Sequence, residues 1–182
     1  MDIIKVTELN LQEEIKKSIE CGLHRILYVV VGSPTVGVHK PRQVDADVCD
    51  DLGYNICEAY YNGGTLVANK GDIGFAHFGE VKNEWMTLFV NDFTNWLRDK
   101  GLNAEFVGND ILIDDYKVCG TGITRYGRID FSAAFVSINP NLEHIKAICK
   151  KPMVKVPKGL SEYGISTKEV EEWFLGFCKK YE

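Results

Sequence analysis

Gly108-Asn109-Asp110-Ile111-Leu112-Ile113-Asp114-Asp115-Tyr116-Lys117-Val118-Cys119-Gly120-Thr121-Gly122 is the stretch on which the fold turns. Ile111, Leu112 and Ile113 form an apolar run of strand length. Asp114-Asp115-Tyr116 turns the chain, and Lys117-Val118 starts a returning strand. The return enters Gly120-Thr121-Gly122. Glycine weakens a strand, so two of them mark a place where something approaches the backbone closely. Lys117 stands three residues before that pair, and Asn109-Asp110 lies on the partner strand. A cation, a carboxylate, an amide and bare backbone thus converge around a small anionic group. Taken by itself the stretch reads first as a surface hairpin with a solvated lysine, because Asp-Asp turns and surface lysines are common.

The rest of the chain sets limits on what this hairpin belongs to. At 182 residues with 45% hydrophobic composition, the chain holds enough apolar surface for one sizeable core. The formal charge is -5 and there is no lysine- or arginine-rich block, which disfavours nonspecific nucleic-acid binding. No apolar run reaches a membrane span, and Met1-Asp2-Ile3-Ile4-Lys5 does not read as a secretory leader. Cys21, Cys49, Cys57, Cys119, Cys149 and Cys178 are scattered without a Cys-x-x-Cys pair, as are His24, His39, His77 and His144. Free thiols in a reducing cytoplasm and no zinc site are expected.

In chain order, Glu8 to Ile19 reads as a helix with Leu11, Ile15 and Ile19 on one face. Arg25 to Val31 is a continuous β-branched run suited to a buried strand, and Thr35 to Val38 restarts an extended segment. His39-Lys40-Pro41-Arg42-Gln43 is a small basic cluster at a strand end. Asp45 to Leu52 is a short acidic helix and Tyr54 to Tyr60 a strand. Asn62-Gly63-Gly64-Thr65 is a tight turn. It is either a plain hairpin connection or a place where backbone N–H groups face an anion. Strands follow at Leu66–Ala68 and Ile73–Phe78. Glu80 to Lys100 is the longest helix, its Trp85, Phe89, Phe93, Trp96 and Leu97 forming a core stripe. Ile123-Thr124 and Ile129 to Ile138 form a strand pair turning at Arg125 to Arg128. Leu142, Ile145 and Ile148 space a short helix. Lys151 to Leu160 is extended and basic, and a last helix is capped by Ser166 or Thr167. Strands clustered between helices predict an α+β domain with a mixed, largely antiparallel sheet.

These segments together resemble the lipoate-protein ligase and octanoyltransferase family, relatives of the biotin-protein ligases. Asn10-Leu11-Gln12-Glu13-Glu14 resembles the family's Asn-Leu-x-x-Glu-Glu start. Ser33-Pro34-Thr35-Val36 and the basic turn after it resemble its Pro-x-Val-x-x-Gly-Arg segment. Asn62-Gly63-Gly64-Thr65-Leu66-Val67 stands where the family has Gly-Gly-Gly-Ala-Val, and Gly71-Asp72 where it has Gly-Asn. Asn109-Asp110-Ile111, the turn, and Lys117-Val118-Cys119-Gly120-Thr121-Gly122 resemble its Asn-Asp-Ile and Lys-Ile-Ser-Gly-Ser-Ala. Asn139-Pro140-Asn141-Leu142 resembles its Asn-x-Asp-Leu.

The resemblance implies a class II synthetase-like biotin/lipoate ligase domain over residues 1–182, without a C-terminal accessory domain. It implies lipoate or octanoate in an apolar tunnel with its carboxyl end at the catalytic Lys117. Gly63, Gly64, Thr65, Asn109, Asp110, Gly120, Thr121 and Gly122 are the implied cofactor-binding positions. Asp110 is also the implied metal contact. ATP and magnesium are the implied cofactors of a ligase, and a lipoyl domain or H-protein is the implied acceptor.

The chain departs from the family at Glu58-Ala59, where the ligases carry Arg-Arg, and at Asn62 and Thr65 in the glycine turn. Arginine forks grip phosphates, so this loss weighs on ATP use, with Lys40, Arg42 or Lys70 as substitutes. Two alternatives follow. One is an ATP-independent octanoyltransferase with a cysteine nucleophile, Cys149 or Cys119. The other is a non-catalytic member that only binds acyl group, nucleotide or acceptor.

Overall fold

The computed structural model describes residues 2–6, 8, 12–21, 24–38, 43–58, 65–80 and 84–181. The β-branched run forms β2, Arg25–Val30, with Ile26 and Leu27 fully buried although they point to opposite faces. Burial on both faces is what a polar-free run allows. On one side β2 pairs in parallel with β1, Asp2–Val6, and on the other antiparallel with β6, Ile73–Glu80. The sheet continues through β10, Ile129–Val136, then β9, Tyr116–Tyr126, β8, Asp110–Ile113, and β7, Ala104–Val107. Every pairing after β1–β2 is antiparallel. The expected α+β architecture with a mixed, largely antiparallel sheet is therefore present.

One face of this seven-stranded sheet is covered by α3, Trp85–Asp99, and α5, Thr167–Lys180. Trp85, Phe89, Phe93 and Leu97 meet Phe174 and Phe177 against Ile26, Phe75, Val118 and Val136. Phe75 stacks on Phe174 at 3.9 Å between centroids. Burying each such ring contributes about 2 kcal/mol. Ser166 caps α5 and Glu169 returns the bond to complete a capping box, which fixes where the helix starts. On the opposite face Ile15 of α1, Gln12–Cys21, packs on Leu27, Phe78 and Phe131 at one end of the sheet. The other end of that face is left to the site described below.

A second sheet of β4, Asn55–Glu58, β3, Thr35–Val38, and β5, Leu66–Ala68, packs with α2, Ala46–Asp51, and α4, Leu142–Ile148. The buried Asp72 carboxylate ties the β5–β6 turn to the end of β10. It accepts from the N–H groups of Asn69, Ile138 and Asn139 at 2.8, 2.6 and 3.1 Å. Burial raises its pKa, and those three donors pull it back down.

Several local expectations are refined. β9 is one strand of 11 residues instead of separate pieces, because β8 pairs its first half and β10 its second. β1 was not expected: five residues carry too little alternation to be seen, and it is held by its parallel neighbour. The strand expected at Tyr54 to Tyr60 runs over Asn55–Glu58, with residues 59 and 60 outside the described residues. The long helix expected from Glu80 to Lys100 runs over Trp85–Asp99: Glu80 is instead the last residue of β6, and residues 81–83 lie outside the described residues. Among the described residues no helix is long and apolar enough to cross a membrane.

Candidate active site

The β8–β9 hairpin closes through Asp114 and Asp115, at φ 50° and 68°, between the paired Ile113 and Tyr116. Two central residues with positive φ give the tight turn whose twist matches its strands. A bulge follows. Leu112 opposes Lys117 and Ile111 opposes Cys119, so Val118 is the extra residue. A bulge shifts strand alternation. Val118 and Cys119 are accordingly both buried in the helix-covered core, and Lys117 comes to lie on the face of Gly120. An atom placed as a Gly120 Cβ would stand 3.0 Å from the Lys117 Nζ.

That face carries a trough whose floor follows from sheet register. Leu27, Ala76, Ala133 and Gly122 stand side by side across four strands, and so do Val29, Gly74, Phe135 and Gly120. At about 4.8 Å per strand, each row spans about 14 Å. Glycine and alanine keep the floor low at Ala76, Gly74, Ala133, Gly122 and Gly120, while Leu27 and Val29 raise it at β2 and Phe135 raises it at β10. The cavity above them holds about 450 Å³ and is lined also by Thr65, Leu66, Asn109, Asp110 and Lys117.

Lys117 stands at the end of the Gly120 row. Its Nζ lies 2.7 Å from Asp110 Oδ1, and Asp110 faces Gly120 across the ladder. A second compartment of about 530 Å³ opens beyond this pair, lined by Thr65, Cys149 and a strap from Lys151 to Lys155. The strap is held at its far end by β9 itself: Lys117 N–H donates to Val156 O at 2.9 Å and Lys158 N–H to Lys117 O at 3.0 Å. Lys155 Nζ lies 3.1 Å from Asp110 Oδ2. Lys117 and Lys155 therefore flank one carboxylate, and with Lys151 lining the same compartment the excess of positive charge suits an anion.

Of the site residues expected from sequence, Thr65, Asn109, Asp110, Lys117, Gly120, Thr121 and Gly122 all line the apolar cavity. Gly63 and Gly64 lie outside the described residues, as do Lys40, Arg42, Ala59 and Asn62. Lys70 is exposed and lines neither compartment. The metal contact expected at Asp110 is not matched by a cluster: among the described residues no three His, Cys, Asp or Glu side chains gather to hold an ion. Cys119 is unsuited to nucleophilic duty, since burial pushes its thiol up to about 12 despite the Lys117 ammonium nearby. Burial also raises the Cys149 thiol. The sequence reading missed Lys155 and the trough floor. The basic stretch Lys151 to Leu160 was visible, but nothing local showed that it folds back onto Lys117.

The sheet, its covering helices and a lysine-ended trough define the catalytic domain of a ligase- or transferase-type enzyme with the biotin/lipoate ligase fold. The chain belongs to the lipoyl protein ligase A/B catalytic domain family, whose model matches residues 6–172. Among curated protein sequences none matches it. A bipartite lipoate protein ligase of Thermoplasma acidophilum, solved in a study of that ligase and its E2 lipoyl domain, superposes with a TM-score of 0.80 at 15% identity, over 98% of this chain and 82% of that one. A Thermoplasma acidophilum protein assigned as a lipoate protein ligase, solved with lipoic acid bound, gives 0.78 at 15% identity over 98% and 84%. A lipoate-protein ligase A solved with ATP gives 0.77 at 16% identity over 99% and 85%.

Proposed function

We propose that residues 1–182 form one catalytic domain that activates lipoate or octanoate and passes it to a lysine of an acceptor lipoyl domain or H-protein. The observation that carries this is the position of Lys117 Nζ, at the junction of an apolar trough and a cationic compartment. The acyl chain lies on the Gly122–Ala133–Ala76 floor, with its carboxylate at Lys117. That carboxylate attacks the α-phosphorus of ATP; pyrophosphate leaves and an acyl adenylate remains. The acceptor ε-amine then attacks the carbonyl carbon, and AMP departs. Negative charge develops on the carbonyl and phosphate oxygens in both steps, and a fixed ammonium beside bare glycine backbone stabilises it. Lys151 and Lys155 supply phosphate contacts in place of the ligases' Arg-Arg pair, which is Glu58-Ala59 in this sequence.

The relatives solved with lipoic acid, with ATP and alongside an E2 lipoyl domain support this reading. Asp110 is the one acid lining the two compartments among the described residues, and its oxygens face two lysines. These residues by themselves do not make a magnesium site. The free thiols of the described cysteines fit the reducing cytoplasm proposed as the setting.

The test is transfer of labelled octanoate or lipoate to an apo lipoyl domain, comparing free acid plus ATP with acyl carrier protein as donor. ATP-dependent transfer that falls at least about a hundredfold in Lys117→Met is expected. Cys149 lines the cationic compartment. Carrier-dependent transfer abolished by Cys149→Ser would therefore select the transferase mechanism instead. Thermal stabilisation by octanoyl adenylate with no turnover from either donor would select a non-catalytic binder.

A further inference from the structure

Lys155 makes two contacts that no motif accounts for. Its Nζ lies 3.1 Å from Asp110 Oδ2 and donates to Val107 O at 2.9 Å. The first half of its strap has little else to hold it. Val154 is 97% exposed and Lys151 and Pro152 are exposed too, with Met153 alone of the first four residues of this arch half-buried. The far half is zipped to Lys117 through Val156 and Lys158. Among the described residues, Lys155 is thus the tie between the arch and the β7–β8 hairpin.

The carboxylate that receives it is the one that holds Lys117, at 2.7 Å. Two ammonium groups on one carboxylate weaken each other's hold. An anion entering the cationic compartment competes with Asp110 for both.

We propose that Lys155 is a positioning residue, a latch that pins the Lys151–Lys155 arch over the cationic compartment. By sharing Asp110 it sets how readily the Lys117 ammonium turns to a bound acyl phosphate. This deepens the acyl-activation reading and rests on it. With the anion in place, Lys155 meets it from the arch side and keeps the compartment closed while the activated carbonyl awaits the acceptor amine. When the anion leaves, Lys155 returns to Asp110 and Val107.

The experiment combines hydrogen exchange at the backbone amides of Val154, Lys155, Val156 and Lys158 with dissociation of a non-hydrolysable octanoyl-adenylate analogue. In Lys155→Met, amide exchange and analogue dissociation are each expected to quicken about tenfold or more, the loss of the contacts to Asp110 and Val107. Lys155→Arg should restore both. Asp110→Asn should quicken strap exchange to a smaller degree, since Lys155 keeps Val107 O, and the Lys155→Met/Asp110→Asn double variant should go no further than Lys155→Met alone. Unchanged exchange in Lys155→Met would make it an ordinary surface lysine. Additive effects in the double variant would remove Asp110 from the account. If the wild-type protein does not bind the analogue, the acyl-activation reading fails, while the exchange measurements still decide whether the latch exists.

Discussion

Lys117 and Gly120 lie on the same face of β9, although three residues separate them and simple alternation would set them on opposite faces. The bulge at Val118 brings this about. The lysine stem lies over a glycine, with Cε 3.1 Å from where a Cβ would stand.

Gly120→Ala therefore pushes the far end of a flexible side chain, which can move. Folding stability is expected to change by less than about 1 kcal/mol. Acyl transfer should fall by about tenfold or more, because a small misplacement of a charge-stabilising group is costly. Melting temperature and kcat/KM measured together check this; an unaltered kcat/KM would mean that the Lys117 position does not matter.

Ala133 and Ala134 face opposite sides of β10, toward the trough and toward the α3–α5 core. Ala133→Leu fills open space. It should leave the fold intact while abolishing the rise in melting temperature given by octanoate or lipoate. Ala134→Leu overpacks a closed core and should cost about 1–3 kcal/mol. Ligand-dependent melting of the two variants separates trough from core. Full acyl binding by Ala133→Leu would show that the chain does not lie there.

His77 is buried and stacked on Trp85 at 5.1 Å, and its Nδ1 has no hydrogen-bond partner among the described residues. Burial first, and His24 second, lower its pKa from 6.5 to about 4. The unfolded chain thus takes up this proton before the folded one does. The stability contribution is complete above pH 6.5 and is lost as pH falls from there toward 4, by roughly 3 kcal/mol. Urea unfolding across that range should show a steeper acid loss in the wild type than in His77→Phe.

Asp115 holds φ 68° in the hairpin turn. Asp tolerates that region better than most residues, yet glycine enters it freely. Asp115→Gly should stabilise the protein by about 0.5–1 kcal/mol with transfer activity unchanged, read from denaturant midpoints.

Much of this molecule was legible in its sequence because the signals were local. The Asp114-Asp115 turn, the Lys117 strand, the Gly120 and Gly122 pair and the aromatic stripe of α3 each declare themselves within a few residues. The trough did not, because Leu27, Ala76, Ala133 and Gly122 come from four strands and only the ladder register aligns them. The bulge at Val118 is likewise a property of two strands, since β8 has one residue fewer than its partner over that span. Lys155 read as a solvated charge in a basic stretch, because its carboxylate lies 45 positions earlier in the chain. Asn109 and Asp110 stood out already from the hairpin, and the resemblance added Thr65 as a binding position.

The low floor under the trough is made by the absence of side chains, and the hydrogen-bond ladder beneath it runs through backbone alone. Under the acyl-activation proposal, a descendant of this protein would trade one fatty acid for another by enlarging single residues along that floor. Gly74 and Ala76 are buried, so the room to retune such a diet lies at the half-buried positions 122 and 133.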